Sequence, residues 1–201
     1  TSLISGRHVD FEKIHTEGIT KITTEDMKYA KKLNMAIKLL ASSKRVGDTF
    51  SVLVAPMLLS EEHPLCNVND VFNAVFVRGN MLGDAMFYGS GAGKLPTASA
   101  VVADVVDAAK HLHRNVVTRW DAGELELIPN AEAEHRFFVR VQGRSEAQKE
   151  QIREAFGSVE IVETEGLEDE FGFITEVMTE GTYSKKAEAF PEIIHMIRLA
   201  D

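Results

Sequence analysis

The stretch that most constrains this chain runs Tyr88-Gly89-Ser90-Gly91-Ala92-Gly93-Lys94-Leu95-Pro96-Thr97. Three glycines at alternate positions follow an apolar run and lead straight into a helical pattern. Pro96 suits a first helical turn, where a missing N–H costs no hydrogen bond. From Ala98 onward, Val101, Val102, Val105, Ala108, Ala109 and Leu112 recur at the spacing of one helical face. A glycine turn ahead of a helix leaves free backbone N–H groups and the positive end of the helix dipole facing whatever lies beside it. Glycines also let a ligand come close to the main chain. The pattern is neither Gly-x-Gly-x-x-Gly, with an acidic residue about 20 positions on, nor the Gly-Lys-Ser/Thr of a P-loop. A tight strand-to-helix connection accounts for the same glycines without any ligand, and from the residues alone both readings stay open.

The chain has 201 residues, 44% hydrophobic and 26% charged, enough for one domain or two. No apolar run approaches the roughly 18 residues that a membrane span needs. Residues 1–114 carry 13 Lys/Arg against 12 Asp/Glu, and residues 115–201 carry 9 against 19. An acidic second half repels phosphate backbones and speaks against nucleic acid as a partner. Cys66 is the single cysteine, which forbids an internal disulfide, fits a reducing cytoplasm and reads as a small core residue.

Thr1–Gly6 reads as the end of a helix, and His8–Ile22 as a connection. Thr23 with Asp26 forms a capping-box start for a helix that reaches Leu33 and buries Met27, Ala30 and Leu33. Its Lys28, Lys31 and Lys32 read as a solvated face. Ala36–Ala41 and Phe50–Leu58 read as strands joined through the charged tip 42–48, with Pro56 marking the second strand's end. Ala74–Arg78 and Ala85–Tyr88 complete four strands expected in one α+β layer. His111 and His113 point apart on a helix and make a poor metal pair; no metal site is expected. Residues 115–134 have the character of a linker, with Trp120 as its anchor. Beyond it, Phe137, Val139 and Val141 begin a strand. A helix capped by Ser145 and Gln148 follows and ends at Gly157, burying Ile152, Ala155 and Phe156. Strands at 159–163 and 171–178, a helix near 183–190 and a strand at Ile193–Leu199 give the order βαββαβ.

The segment Tyr88 to Asp104 is similar to the signature near the end of the catalytic region of the homoserine dehydrogenase family. The resemblance extends upstream through Glu17-Gly18-Ile19, Ile37 to Ala41, Val54-Ala55-Pro56, His63-Pro64-Leu65 and Asn73-Ala74-Val75. It implies an NAD(P)-dependent oxidoreductase that interconverts L-homoserine and aspartate 4-semialdehyde, in threonine and methionine biosynthesis. Gly91, Gly89 and Gly93, Gly91 foremost, are then the residues expected to meet the cofactor. The βαββαβ portion resembles an ACT domain, an amino-acid-sensing module, although Gln142-Gly143-Arg144-Ser145 stands where that family has an Asp-x-Pro-Gly type loop.

The implied organisation is α+β: a mixed-sheet substrate and dimerisation domain at 1–114, a linker at 115–134 and a ferredoxin-like ACT-type domain at 135–201. The family's catalytic lysine and Rossmann domain are expected to lie before Thr1. On that reading the chain is the C-terminal part of the enzyme, holds no catalytic residue, is inactive by itself and binds no cofactor tightly. The other reading is a non-catalytic dimerisation and amino-acid-sensing module. Expected partners are a second copy, the amino-acid substrate of the full enzyme and an amino-acid effector, in the cytoplasm, without nucleic acid or membrane.

Overall fold

The computed structural model describes residues 1–114, 116–117 and 119–200. They pack as two compact units, one formed by residues 1–60 with the chain from 121 onward, the other by residues 61–120.

In the first unit a short helix α1 (Ser2–Ser5) leads to β1 (Arg7–His8) and β2 (His15–Thr16). Helix α2 (Thr24–Lys32) begins where the sequence placed it. The Thr23 side chain accepts from the Asp26 N–H, while Asp26 accepts from the Thr23 N–H. Its buried face differs from the expected one. Tyr29, Ala30 and Asp26 are buried, whereas Met27 is exposed. Lys28, Lys31 and Lys32 are exposed, as expected.

Strands β3 (Met35–Val46) and β4 (Thr49–Ser60) form one long hairpin with Gly47 and Asp48 at its turn. Residues 42–46 are therefore strand and not loop. Ser42, Lys44 and Arg45 are exposed and Ser43 accepts from the Thr1 hydroxyl, while the backbone pairs with β4, whose Phe50, Leu53 and Ala55 are buried. Pairing satisfies the backbone regardless of side-chain polarity. Pro56 lies inside β4, opposite Leu39, and does not end it. The carbonyls of Val54 and Leu58 accept from Glu17 and Ala200 on the strand's other edge. Alternation puts the Pro56 nitrogen on that same edge, between the stretches paired with β2 and with the strand at 193–199, where no ladder bond is lost.

In the second unit β5 (Phe72–Gly79) and β6 (Gly83–Ser90) form a two-stranded hairpin, followed by α3 (Lys94–Lys110). The four strands expected in one layer thus divide, with β3 and β4 in one sheet and β5 and β6 in another. No described residue of this unit is buried. His111 caps the end of α3, its ring nitrogen bonded to the Asp107 carbonyl.

The chain returns to the first unit as β7 (Asp121–Glu124), parallel to β1. Leu125 is buried, and Leu127 bridges to Phe50, so residues 121–127 are packed chain. There follow β8 (Glu134–His135), β9 (Phe137–Gln142), α4 (Glu146–Phe156), β10 (Val159–Val162), β11 (Glu170–Thr175), β12 (Met178–Thr179), α5 (Glu180–Ala187) and β13 (Ile193–Leu199). Ser145 and Gln148 form the expected capping box of α4, and Gly157 closes it.

The main sheet runs β10-β11-β9-β13-β4-β2, with β3 on the other edge of β4. β13 is antiparallel to β9 and parallel to β4. The fold is α+β with a mixed sheet. Phe137, Val139 and Val141 of β9 pack with Ile152 and Phe156 of α4 and Tyr183 of α5 on one face. Phe138 packs with Tyr29 and Ala30 of α2, Leu58, Ile174 and Ile197 on the other. Burial on both faces replaces the simple in–out alternation of a surface strand. Among the described residues no helix is long and apolar enough to cross a membrane.

Candidate functional site

The glycine turn lies between β6 and α3. Gly89 sits opposite Asn73 of β5, and the position where it would carry a Cβ is open. The Gly91 N–H donates to the Val71 carbonyl at 3.1 Å, and a Cβ at Gly91 would fall on the Asn73 carboxamide. Gly93 is the N-cap of α3 with φ 124, a conformation that side-chain-bearing residues rarely adopt. No side chain caps this helix, and its first turn holds no acidic residue. Lys94, the first helical residue, places a cation where the helix dipole disfavours one. The structure therefore sets Gly89 opposite Asn73 in the hairpin, brings the Asn73 side chain against Gly91, and puts Gly93 where the amides of α3 begin. The sequence reading had not singled out Asn73. Its only signal was its place in the Asn73-Ala74-Val75 block.

In the same unit the His63 ring lies edge-on to Phe76 at 4.7 Å, and its Nδ1 accepts from the Leu65 N–H at 3.1 Å. Burial, with Arg78 nearby, lowers its pKa and favours this neutral acceptor. Cys66 is half-buried in the short turn that follows.

The first unit holds two buried charge clusters that the sequence reading missed. Arg140 of β9 forks onto Glu170 of β11 at 3.0 and 2.7 Å. Its third nitrogen reaches Asp26 at 2.9 Å and the Thr23 hydroxyl at 3.0 Å. His195 Nδ1 lies 3.0 Å from Asp26. Burial would push the Asp26 carboxyl up, but bonds from His195, Arg140 and the Thr23 N–H outweigh it and hold it at about 2.

Arg198 of β13 grips Glu17 at 2.9 and 2.8 Å and Glu180 through a second pair of contacts. Glu17 also meets His15 Nε2 at 2.6 Å. Burial again acts upward on Glu17, and Arg198 and His15 bring it down to about 2. His15 lines an open cavity of about 460 Å³ together with Lys13, Glu124, Glu126 and Asn130, over an apolar floor that includes Val52 and Leu127.

In the 142–145 loop Arg144 is paired with Glu163 at 2.9 Å and Glu168 at 2.5 Å. Lys149 also holds Glu163, and hydrogen bonds from both cations lower that carboxyl to about 2. Among the described residues no group of three or more His, Cys, Asp or Glu is placed to hold a metal ion.

Residues 1–106 match the family model of homoserine dehydrogenase. A homoserine dehydrogenase of Neisseria gonorrhoeae is 36% identical over 154 residues, covering 73% of this chain and 35% of that protein. One from Mycobacterium tuberculosis is 32% identical over 205 residues, covering 92% of this chain and 46% of that protein. The crystal structure of a homoserine dehydrogenase from Thiobacillus denitrificans superposes with a TM-score of 0.84 at 29% identity, covering all of this chain and 51% of that one. The chain thus spans about a third to a half of these relatives.

These matches correct four expectations. The chain is not identified with a C-terminal part alone, because the family match begins at residue 1 and takes in Gly89, Gly91 and Gly93. The expectation of an inactive fragment falls with it, since similarity reaches across 92% of the chain. So does the expectation that the catalytic and dinucleotide-binding region is missing, against a superposition that covers the whole chain. The expectation that no cofactor binds tightly is withdrawn too, because the matched region includes the glycine turn. By the extent of the matched residues and by its fold, the chain belongs to the homoserine dehydrogenase family.

Proposed function

We propose that this chain works in the NAD(P)-dependent interconversion of L-homoserine and aspartate 4-semialdehyde, with the turn at Gly89, Gly91 and Gly93 meeting the cofactor. The observation that carries this reading is the family match over residues 1–106, with the open turn inside it. An uncapped helix start with Lys94 at its first position and no acid in its first turn suits a negatively charged group. The nicotinamide, when bound, gives or takes the hydride. Gly89 keeps one flank of the turn free for close approach, and Gly91 leaves room for the Asn73 carboxamide beside it.

The test is the rate of NADPH oxidation with aspartate 4-semialdehyde, compared between wild type and Gly89→Val. Gly89 has open space around it, so the added side chain leaves the thermal midpoint unchanged. The expected result is a loss of tenfold or more in kcat/KM or in cofactor affinity. An unchanged kcat/KM overturns the assignment of the turn.

We assign residues 1–114 to the catalytic region, 115–134 to a linker whose residues 121–127 pack on the first unit, and 135–201 to an ACT-like module. The strand order β13-β9-β11-β10, with α4 and α5 packed on one face, supports a ferredoxin-like arrangement. An amino acid is the effector class that such a module implies. A homodimer is proposed through the second unit, supported by the exposed Val75, Val77, Met86 and Phe87 of its hairpin. We place the protein in the cytoplasm, in keeping with its single cysteine.

A further inference from the structure

Arg140 and Arg198 share one pattern. Each sits on a strand from the C-terminal part of the chain, β9 or β13. Each joins a carboxylate from residues 17–26 to a carboxylate from residues 170–180: Asp26 with Glu170, and Glu17 with Glu180. The two lie on opposite faces of the sheet. Arg140 points to the α2 side with Phe138, and Arg198 to the α5 side with Glu180. Side-chain exposure is 4% for Arg140 and 2% for Arg198. A guanidinium that deep is tolerated only while carboxylates neutralise it, and each arginine draws on two of them, so losing one throws the cation onto the other.

We propose that these two arginines form a conformational coupling device: a displacement imposed on β9 or β13 is delivered to residues 17–26 and α2, and the reverse. Arg198 forks onto both of its carboxylates, and Arg140 forks onto Glu170 while one nitrogen ties it to Asp26 and Thr23. Such planar contacts fix direction as well as distance, so the coupled groups move together or separate. The second outcome leaves a buried cation short of one of its two carboxylates, so concerted motion is the low-energy one. The Glu17 N–H bonds to the Val54 carbonyl of β4, which carries the displacement one strand further.

Hydrogen–deuterium exchange on the whole chain tests this. Glu180 meets Glu17 by way of Arg198, so Glu180→Gln speeds exchange at residues 14–18 by tenfold or more as well as in α5. Glu170→Gln does the same for α2 by way of Arg140. Glu17→Gln, which removes the charge but keeps the shape of the Arg198 partner, runs the test in reverse and speeds α5. Arg198→Lys keeps the cation but loses the fork, and loosens both segments together. Amides of the β5–β6 hairpin keep their rates throughout. Acceleration confined to the substituted residue's own element, or spread evenly over the chain, overturns the proposal.

Discussion

Gly172 of β11 is where two aromatic rings meet the sheet. A Cβ there would lie 2.5 Å from Phe138 Cε2, 2.9 Å from its Cζ and 3.3 Å from Tyr29 Cε1. Both rings are fully buried, with centroids 5.2 Å apart, and have no room to retreat. Gly172→Ala is expected to destabilise the chain by about 1–3 kcal/mol, read from the urea midpoint; an unchanged midpoint would mean that the rings give way. At the same scale, Asp26 and Glu17 set the acid limit. Their carboxyls sit at about 2 in the folded chain, against ordinary values of 3.8 and 4.5. A lowered carboxylate contributes stability that is full above its unfolded value and lost as pH falls toward the folded one. Circular dichroism at fixed urea should therefore show stability falling between about pH 4.5 and 2. Glu17→Gln should flatten that slope, and a slope unchanged by the substitution would remove Glu17 from the account.

Among the elements, the 142–145 loop gives a clear expectation. Arg144 is spanned by Glu163 and Glu168, and the Gln148 amide in the first turn of α4 donates to the Ser145 hydroxyl. A free amino acid would have to displace these contacts to dock there. Calorimetric titration of the chain with millimolar L-threonine should give no heat that Arg144→Ala abolishes; saturable heat lost in that variant would make the loop an effector site. Elements whose signals are local were legible in the sequence. The two capping boxes, the Gly157 stop and Ile193–Leu199 depend on neighbours within a few residues, and all stand where the pattern put them. Polar strand 42–46 was not legible, because its partner strand decides it. Nor was the right face of α2, which turns Tyr29 inward because Phe138 and Gly172 lie 109 and 143 positions further along. The Arg140–Asp26 and Arg198–Glu17 pairs span 114 and 181 positions. Of the candidate site, the glycines announced themselves by composition, while Asn73 needed the hairpin register to reach them.

For the whole molecule, the apolar side chains of the second unit are the main unsettled surface. A proposed dimer through its hairpin predicts that sedimentation at micromolar concentration finds twice the chain mass of 22.3 kDa, and that Phe87→Glu shifts it toward monomer. A monomeric wild type would sink the dimer. The main sheet carries a different consequence, one of timing. β13 lies between β9 and β4, so a strand from residues 193–199 completes the edge of a strand made of residues 49–60. At about 5–20 residues per second, β4 waits roughly 7–28 s after synthesis with that edge open. Its run of Ala55, Met57 and Leu58 is an adhesive ribbon in the meantime. Pro56, placed on that same edge, interrupts the ribbon for any stray strand while the rightful one is still being made.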